Sequence, residues 1–442
     1  MALSLRDTTL YRIYGGPGEE KTGRRAILAD GIVKTIILYL GKGTFFTGFF
    51  MLYGVNIVNI SILTLVPYLA SAAAVLAPLL LERVQRRKPL LLAGRALYYI
   101  LYLLVLTLLP MFMGGSRLLI PVCVAVVFVS NVLGNASQSG FDAWFLDFLP
   151  ESIRARHFSY MVLWPELVST ILALLSSLVV DASAGTAAEG PVLLAVRFLV
   201  VALGALDIWI CAKPAERSRV QGASQVSLRD IFTIPMRNAV FMGITLLITA
   251  YTFTNSLYLS TQIYYLLDEC GISYTYINFM NMTYPFTLLF LQPFWRKLLQ
   301  KTSWTWVYAV SILIFAVSNV FYAFVNGTNY LVLMTIVRLV QHVSGAGSSM
   351  TCPNLVYRNT PVKNRTSYIS FYNVLINVAA FGGMTAGTAV VDAMGAARLT
   401  ILGRPLGSVQ LLMLASGLLS VAVIAVLFAN LRRFEPRTGE SS

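Results

Sequence analysis

One feature constrains this chain more than any other. Stretches of about 20 largely apolar residues, the length a helix needs to cross the hydrocarbon of a bilayer, recur twelve times along its 442 residues. They fall at about 28–53, 57–81, 89–110, 118–145, 158–181, 191–212, 239–266, 273–298, 304–325, 329–355, 366–391 and 405–431. An even number of spans places both termini on one side. Composition agrees: 57% of residues are hydrophobic and 12% charged. That is about half the charge of a soluble domain, which excludes a soluble enzyme and a disordered chain. The four cysteines (Cys123, Cys211, Cys270, Cys352) are scattered, with no CxxC and no metal-like pairing with the two histidines. Free buried thiols are expected, with no disulfide framework, no metal and no cofactor. The first 25 residues are polar and basic, without a short apolar core before a cleavage site, so the first hydrophobic run reads as a retained span.

The formal net charge is +14, from 33 Lys and Arg against 19 Asp and Glu. Such a surplus fits nucleic acid, an anionic surface or an anionic substrate, and the position of the cations separates these. Twenty-five of the 33 lie in the termini and in alternate loops on one side; the other side holds Arg117, Arg398 and Arg404. By the positive-inside rule the rich side is cytoplasmic, so the surplus is a topological label and nucleic acid is not needed. The expected location is the inner (plasma) membrane of a bacterium, multi-pass, with both termini cytoplasmic. The sequon Asn326-Gly327-Thr328 lies in a loop too short for glycosylation and reads as a chance match.

The chain also repeats. The basic turn Pro361-Val-Lys-Asn-Arg365 after the tenth span echoes Pro150-Glu-Ser-Ile-Arg154 after the fourth, at an offset that sets Gly345 on Gly134 and His342 on Asn131. Basic turns likewise follow the second and eighth spans, and the longest cytoplasmic loop separates six spans from six. The expected fold is an all-α membrane protein of twelve transmembrane helices in two pseudo-symmetric six-helix halves. The expected limits are a cytoplasmic N-terminal segment 1–25, an N-terminal half 26–212, a linker 213–238, a C-terminal half 239–431 and a tail 432–442. Repeated halves suit a secondary transporter with its site at their interface near the midplane.

The segment Pro78-Leu79-Leu80-Leu81-Glu82-Arg83-Val84-Gln85-Arg86-Arg87-Lys88 resembles the loop after span two of the major facilitator superfamily, Gly-x-x-x-Asp-Arg-x-Gly-Arg-Arg/Lys. Glu82 stands for the acid, Arg83 for the following base, and Arg86 with Arg87 for the paired bases; Gln85 replaces a glycine. The resemblance implies that Glu82, Arg83, Arg86 and Arg87 latch the conformation. The family's Arg-x-x-x-Gly in span four is absent; Asn131 stands there, and Arg338 and His342 occur in span ten.

Ionisable groups within lipid are costly, so they face the interior and pair or bind something. Asp30, Lys34, Arg95, Asp142 and Asp207 lie near the cytoplasmic end and Arg197 near the outer end; snorkelling or pairs such as Arg95 with Asp142 explain them. Tyr98, Tyr99, Tyr102, Tyr264, Tyr265, Trp304 and Trp306 fit an interfacial belt. Lys42, Glu166, Arg338 and His342 are deeper. Gly41 and Gly43 thin the helix around Lys42. Span four carries Asn131, Asn135, Gln138 and Asp142 within a stripe about 60° wide. Span seven carries Tyr251, Asn255, Tyr258 and Gln262 on one face, and span eleven Ser370, Asn373 and Asn377. If spans one, four, seven and ten line the cavity, as the resemblance implies, Lys42, Asn135, Gln138, Asn255, Tyr258, Arg338 and His342 bind substrate.

Two deep cations favour a substrate with negative charge, Arg338 as a bidentate clamp and Lys42 as a point charge. The bland alternative pairs Arg338 with Glu166 or with backbone carbonyls. Glu166 and His342 are the candidates for carrying a coupling proton. The function expected is secondary active transport of a small solute by alternating access, proton-coupled, the solute an organic anion or a sugar-like metabolite. Its partners are that solute, lipid and the proton, with no nucleic acid, and the protein is a monomer. The alternatives are a multidrug-type efflux permease and a non-transporting sensor or scaffold. An enzyme would need a nucleophile–base or metal constellation, which His157, His342 and isolated cysteines do not form.

Overall fold

A computed structural model of the chain describes residues 9–73, 87–145, 148–216, 228–361, 365–401, 403–431 and 434. Twelve helical spans run through the described residues. The first is Glu19–Gly41 continued by Gly43–Leu52; the second is Ile57–Ala73. The third joins Arg87–Tyr99 to Leu106–Met113 through a wider π-helical stretch, Ile100–Val105. The fourth, fifth and sixth are Leu119–Phe145, Glu151–Ser183 and Glu189–Ala212. The seventh is Ala239–Ser256, followed by the short turn Gln262–Tyr264. The eighth to twelfth are Tyr274–Lys301, Trp304–Tyr322, Tyr330–Arg358, Arg365–Met394 and Ser408–Ala429. Among the described residues ten helical segments are both long and apolar enough to cross a membrane; Ile57–Ala72 is shorter. The eighth span falls outside those ten because Asn278, Asn281, Thr283 and Thr287 interrupt its apolar run.

The seventh, eighth and ninth spans start where a side chain satisfies a free amide. Asn238 Oδ1 accepts from the Phe241 amide, Ser273 Oγ from Tyr276 and Ser303 Oγ from Trp306. Large apolar side chains face outward, with Phe290 73% and Val332 68% exposed. Water would penalise that surface, whereas lipid is its natural solvent. Outside the spans lie a helix at Thr9–Tyr14, a second at Leu228–Met236 within the stretch read as linker, and an antiparallel hairpin, Leu399–Ile401 with Arg404–Leu406.

The chain divides into two compact units, Met1–Gly54 with Ala73–Ser224, and Val55–Ala72 with Gln225–Ser442. In the first, Ile27, Leu91, Phe141, Trp144, Phe145 and Phe148 form an aromatic-rich core. Lys88 Nζ lies 5.9 Å over the Trp144 ring, and Arg24 Nε donates to the Phe148 carbonyl at 3.0 Å. The second unit takes in the second span, whose Ser61 Oγ donates to the Ser260 carbonyl at 3.3 Å. One of its cores gathers Phe241, Ile244, Tyr308, Ile312, Phe371 and Ile424.

Several expectations change. Arg197 does not snorkel; it is 1% exposed. Tyr99, Tyr102 and Tyr265 are not an interfacial belt but are buried to 5% exposure or less. Two of the rings find a hydroxyl partner inside: Tyr99 Oη donates to Asp207 at 2.7 Å and Tyr265 Oη to the Val325 carbonyl at 2.6 Å, while Tyr102 stacks on the Tyr98 ring. Arg95 pairs with Asp30 at 2.6 Å rather than with Asp142, which instead accepts from Gln138 Nε2. Asn326 Oδ1 serves its own turn, accepting from the amides of Thr328 and Asn329.

Candidate functional site

The first span breaks where Lys42 was expected to ride a thin helix. Lys42 is extended (φ −126°, ψ −175°) and Gly43 turns to φ +56°, a conformation that costs glycine nothing and a side-chain-bearing residue energy. The break leaves helical carbonyls without amide partners. Arg197 from the sixth span covers one of them, its Nη1 donating to the Gly41 carbonyl at 3.1 Å while Nε donates to Thr107 Oγ1 at 3.0 Å. Its guanidinium also lies 5.4 Å from the Phe49 ring centre. A cation against the carbonyl end of a helix is electrostatically favourable.

Lys42 therefore leaves the helix surface. Its Nζ stands 5.3 Å over the Tyr102 ring, and no carboxylate lies within 4 Å of it among the described residues. It lines a cavity of about 420 Å³ in the first unit, together with Lys34, Arg95, Tyr98, Asn135 and Gln138. Gln138 is held from two sides: its Oε1 accepts from Arg95 Nη2 at 2.6 Å and its Nε2 donates to Asp142 at 2.6 Å. Asn131 is 5% exposed and returns its amide to the Val127 carbonyl at 2.8 Å. Glu166 accepts a hydrogen bond from Tyr39 Oη at 2.7 Å and makes no ion pair among the described residues.

In the second unit Asn319, not singled out in the sequence, is the hub. Its Oδ1 accepts from Tyr258 Oη at 3.0 Å and from Gln341 Nε2 at 2.9 Å, and its Nδ2 donates to Asn255 Oδ1 at 3.3 Å. Tyr258, expected to meet substrate, is 1% exposed and holds Asn319 instead. Arg338 is bound only by amide oxygens, Asn281 Oδ1 at 3.0 Å and Gln341 Oε1 at 3.4 Å; its Nε has no hydrogen-bond partner. It is neither ion-paired nor satisfied by backbone carbonyls among the described residues. His342 turns to the eighth span, where Nδ1 pairs with Thr283 Oγ1 at 2.9 Å beside the Tyr284 ring. A lone Asn within the largely apolar ninth span is the signal that could have found Asn319.

The expected latch residues Glu82, Arg83 and Arg86 lie outside the described residues; Arg87 opens the third span, with its side chain outside the description. Nearer the amino terminus Tyr14 Oη and His157 Nδ1 are 2.8 Å apart. Burial, then the neighbouring Arg24, pull the His157 pKa down to about 4, while burial pushes the Tyr14 hydroxyl up to about 12.

The fold is shared with solved transporters. The nucleoside transporter NupG superposes with a TM-score of 0.65 at 14% identity, covering 95% of this chain and 100% of its own. The POT family transporter PepTSo gives 0.66 at 12%, covering 93% and 98%. The E. coli fucose:proton symporter FucP gives 0.58 at 13%, covering 95% and 100%. No curated protein matches the chain in sequence. Residues 244–442 match the family model of the Major Facilitator Superfamily. With twelve spans across the described residues, the chain is a multi-pass integral membrane protein, and its C-terminal part, a little under half of the whole, is similar to that superfamily.

Proposed function

We propose that the protein is a secondary active transporter that carries a small solute with negative charge across the membrane by alternating access, coupled to protons. The observation that carries the reading is Lys42. A lysine at a helix break, lining a cavity with tyrosines, carboxamides and Asp142 but with no carboxylate within 4 Å of its Nζ among the described residues, is an ammonium awaiting an anion. Arg338 supports it: among the described residues its guanidinium meets two amide oxygens and the Tyr322 ring but no carboxylate, and its Nε has no hydrogen-bond partner. A carboxylate or phosphate bridging such a guanidinium forms two charge-assisted hydrogen bonds. Asn135 and Gln138 offer amide groups for a polar solute's hydroxyls. We further assign the basic loops to the cytoplasm, with both termini there. A cationic-drug exporter would place an unpaired acid against its aromatic cavity, whereas Asp142, which lines this one, already accepts from Gln138 Nε2.

The test is uptake into proteoliposomes, screened over organic anions, sugars and cationic dyes, with and without a pH gradient. Anion uptake driven by the gradient and lost in Lys42→Ala and Arg338→Ala is expected. Dye transport that both variants leave intact would refute the anion reading.

A further inference from the structure

Three spans of the first unit bring four chemically active side chains to one buried point. Asp30 comes from the first span, Arg95 from the third, and Asp207 and Cys211 from the sixth; their exposures are 1%, 4%, 0% and 0%. Arg95 Nη1 lies 2.6 Å from Asp30 Oδ1 and 3.4 Å from Asp207 Oδ2. Cys211 Sγ lies 3.3 Å from Asp30 Oδ1, and ligand atoms of Asp30, Asp207 and Cys211 all fall within 4.8 Å of one another. Tyr99 Oη donates to Asp207 Oδ2 at 2.7 Å. Around the cluster stand Lys34, whose Nζ is 3.9 Å from Asp30 Oδ2 with its side chain 39% exposed, and Gln138 with Asp142 on the fourth span.

The charges at the buried point do not balance. One guanidinium faces two carboxylates, and Lys34 reaches only the outer oxygen of Asp30, from a partly solvated position. Asp207 Oδ1 is buried and has no hydrogen-bond partner among the described residues. Buried polar atoms almost always have partners, so this oxygen is short of a cation or a proton. A divalent metal fits poorly, because Arg95 Nη1 already sits where it would bind Asp30, and the thiol and two acids offer too few oxygens for magnesium or calcium. A proton fits, since two carboxylates crowded in a low-dielectric site take up one between them.

We propose that the Asp30–Arg95–Asp207 cluster is a proton-binding site, loaded from the cavity, with Asp207 Oδ1 as the atom that takes the proton. Loading forms one O–H bond on Asp207, consumes one proton from cavity water, and takes the net charge of the three groups from −1 to 0. The route is visible: Arg95 lines the cavity and binds Gln138 there with one nitrogen while holding both acids with the other. An anion beside Lys42 draws on the same guanidinium, so its arrival loosens the hold on the acids and favours the proton. By linkage the proton favours the anion equally. This deepens the proton-coupled reading and names where the proton resides.

Infrared difference spectroscopy of the full chain in proteoliposomes, titrated with acid in potassium buffer, tests it without any solute. The wild type is expected to develop a protonated-carboxyl band as pH falls. Asp207→Asn, which mimics the protonated acid in shape and charge, removes that band, and Glu166→Gln keeps it. Tyr99→Phe deletes one hydrogen bond to the ionised form and raises the band's midpoint by about one unit, giving a second readout should the Asn variant fail to fold. A band that survives Asp207→Asn, or an unmoved midpoint in Tyr99→Phe, overturns the proposal. So does displacement of the band by sodium at constant pH, which would make the site a metal-ion site. Failure of the transport reading shows in the uptake screen alone, because a chain that carries nothing still shows the band.

Discussion

Gly417 in the twelfth span makes a sharp test of how the second unit is packed. A Cβ built there would lie 2.7 Å from the Ala316 carbonyl oxygen, 2.7 Å from Val320 Cγ2 and 3.0 Å from the Val320 amide nitrogen. Ordinary contact begins at 3.4 Å, so Gly417→Ala asks the ninth span to withdraw by about 0.7 Å. Two of the three obstacles are backbone, which cannot rotate aside. A gap of that size forfeits roughly a quarter to a half of the dispersion energy along the seam. Overpacking of this kind costs about 1–3 kcal/mol, while replacing a helical glycine by alanine returns up to about 1 kcal/mol. The expected net loss is about 1–2 kcal/mol, read as a lower melting temperature in detergent. Gly382→Ala is the control: its Cβ would meet only the Phe253 ring, at 3.5 Å, so propensity alone acts and stability holds or rises. A Gly417→Ala protein that melts at or above the wild type, or a Gly382→Ala protein that melts lower than Gly417→Ala, refutes the reasoning.

Arg95→Met strands two buried carboxylates and is expected to cost about 3–5 kcal/mol; adding Asp30→Asn should recover much of it, and thermal melts of the single and double variants decide. His157 carries the pH dependence. With a folded-state pKa of about 4 against 6.5 unfolded, the folded protein binds fewer protons between those values, so stability is present above pH 6.5 and lost as pH falls toward 4. The loss is about 3 kcal/mol at most, and His157→Gln should flatten melting curves across that window. Asn319→Ala leaves Tyr258, Gln341 and Asn255 each short of a hydrogen bond, at about 1–3 kcal/mol for every group left buried and unpaired. It should weaken anion uptake as well, because Gln341 also holds Arg338.

The sequence by itself determined the twelve spans and the helical class, because each follows from hydropathy. The offset repeat carried structural content too: Gly134 and Gly345, paired by it, are both sites where a Cβ would press on a tyrosine ring, Tyr98 and Tyr284. Tertiary structure decided the partners. Asp30, Arg95 and Asp207 are 65 and 112 residues apart in sequence, and no spacing rule says that a guanidinium will choose those two acids over Asp142. Proximity to a span's end suggested that Arg197 reaches water, yet a broken helix nearby offers it a bare carbonyl, and satisfying that group inside wins. The helix break itself, the hub at Asn319 and the inward turn of Tyr99 and Tyr258 share one cause. In a membrane interior every polar group must find another, and which ones meet depends on how helices far apart in the chain lie against each other.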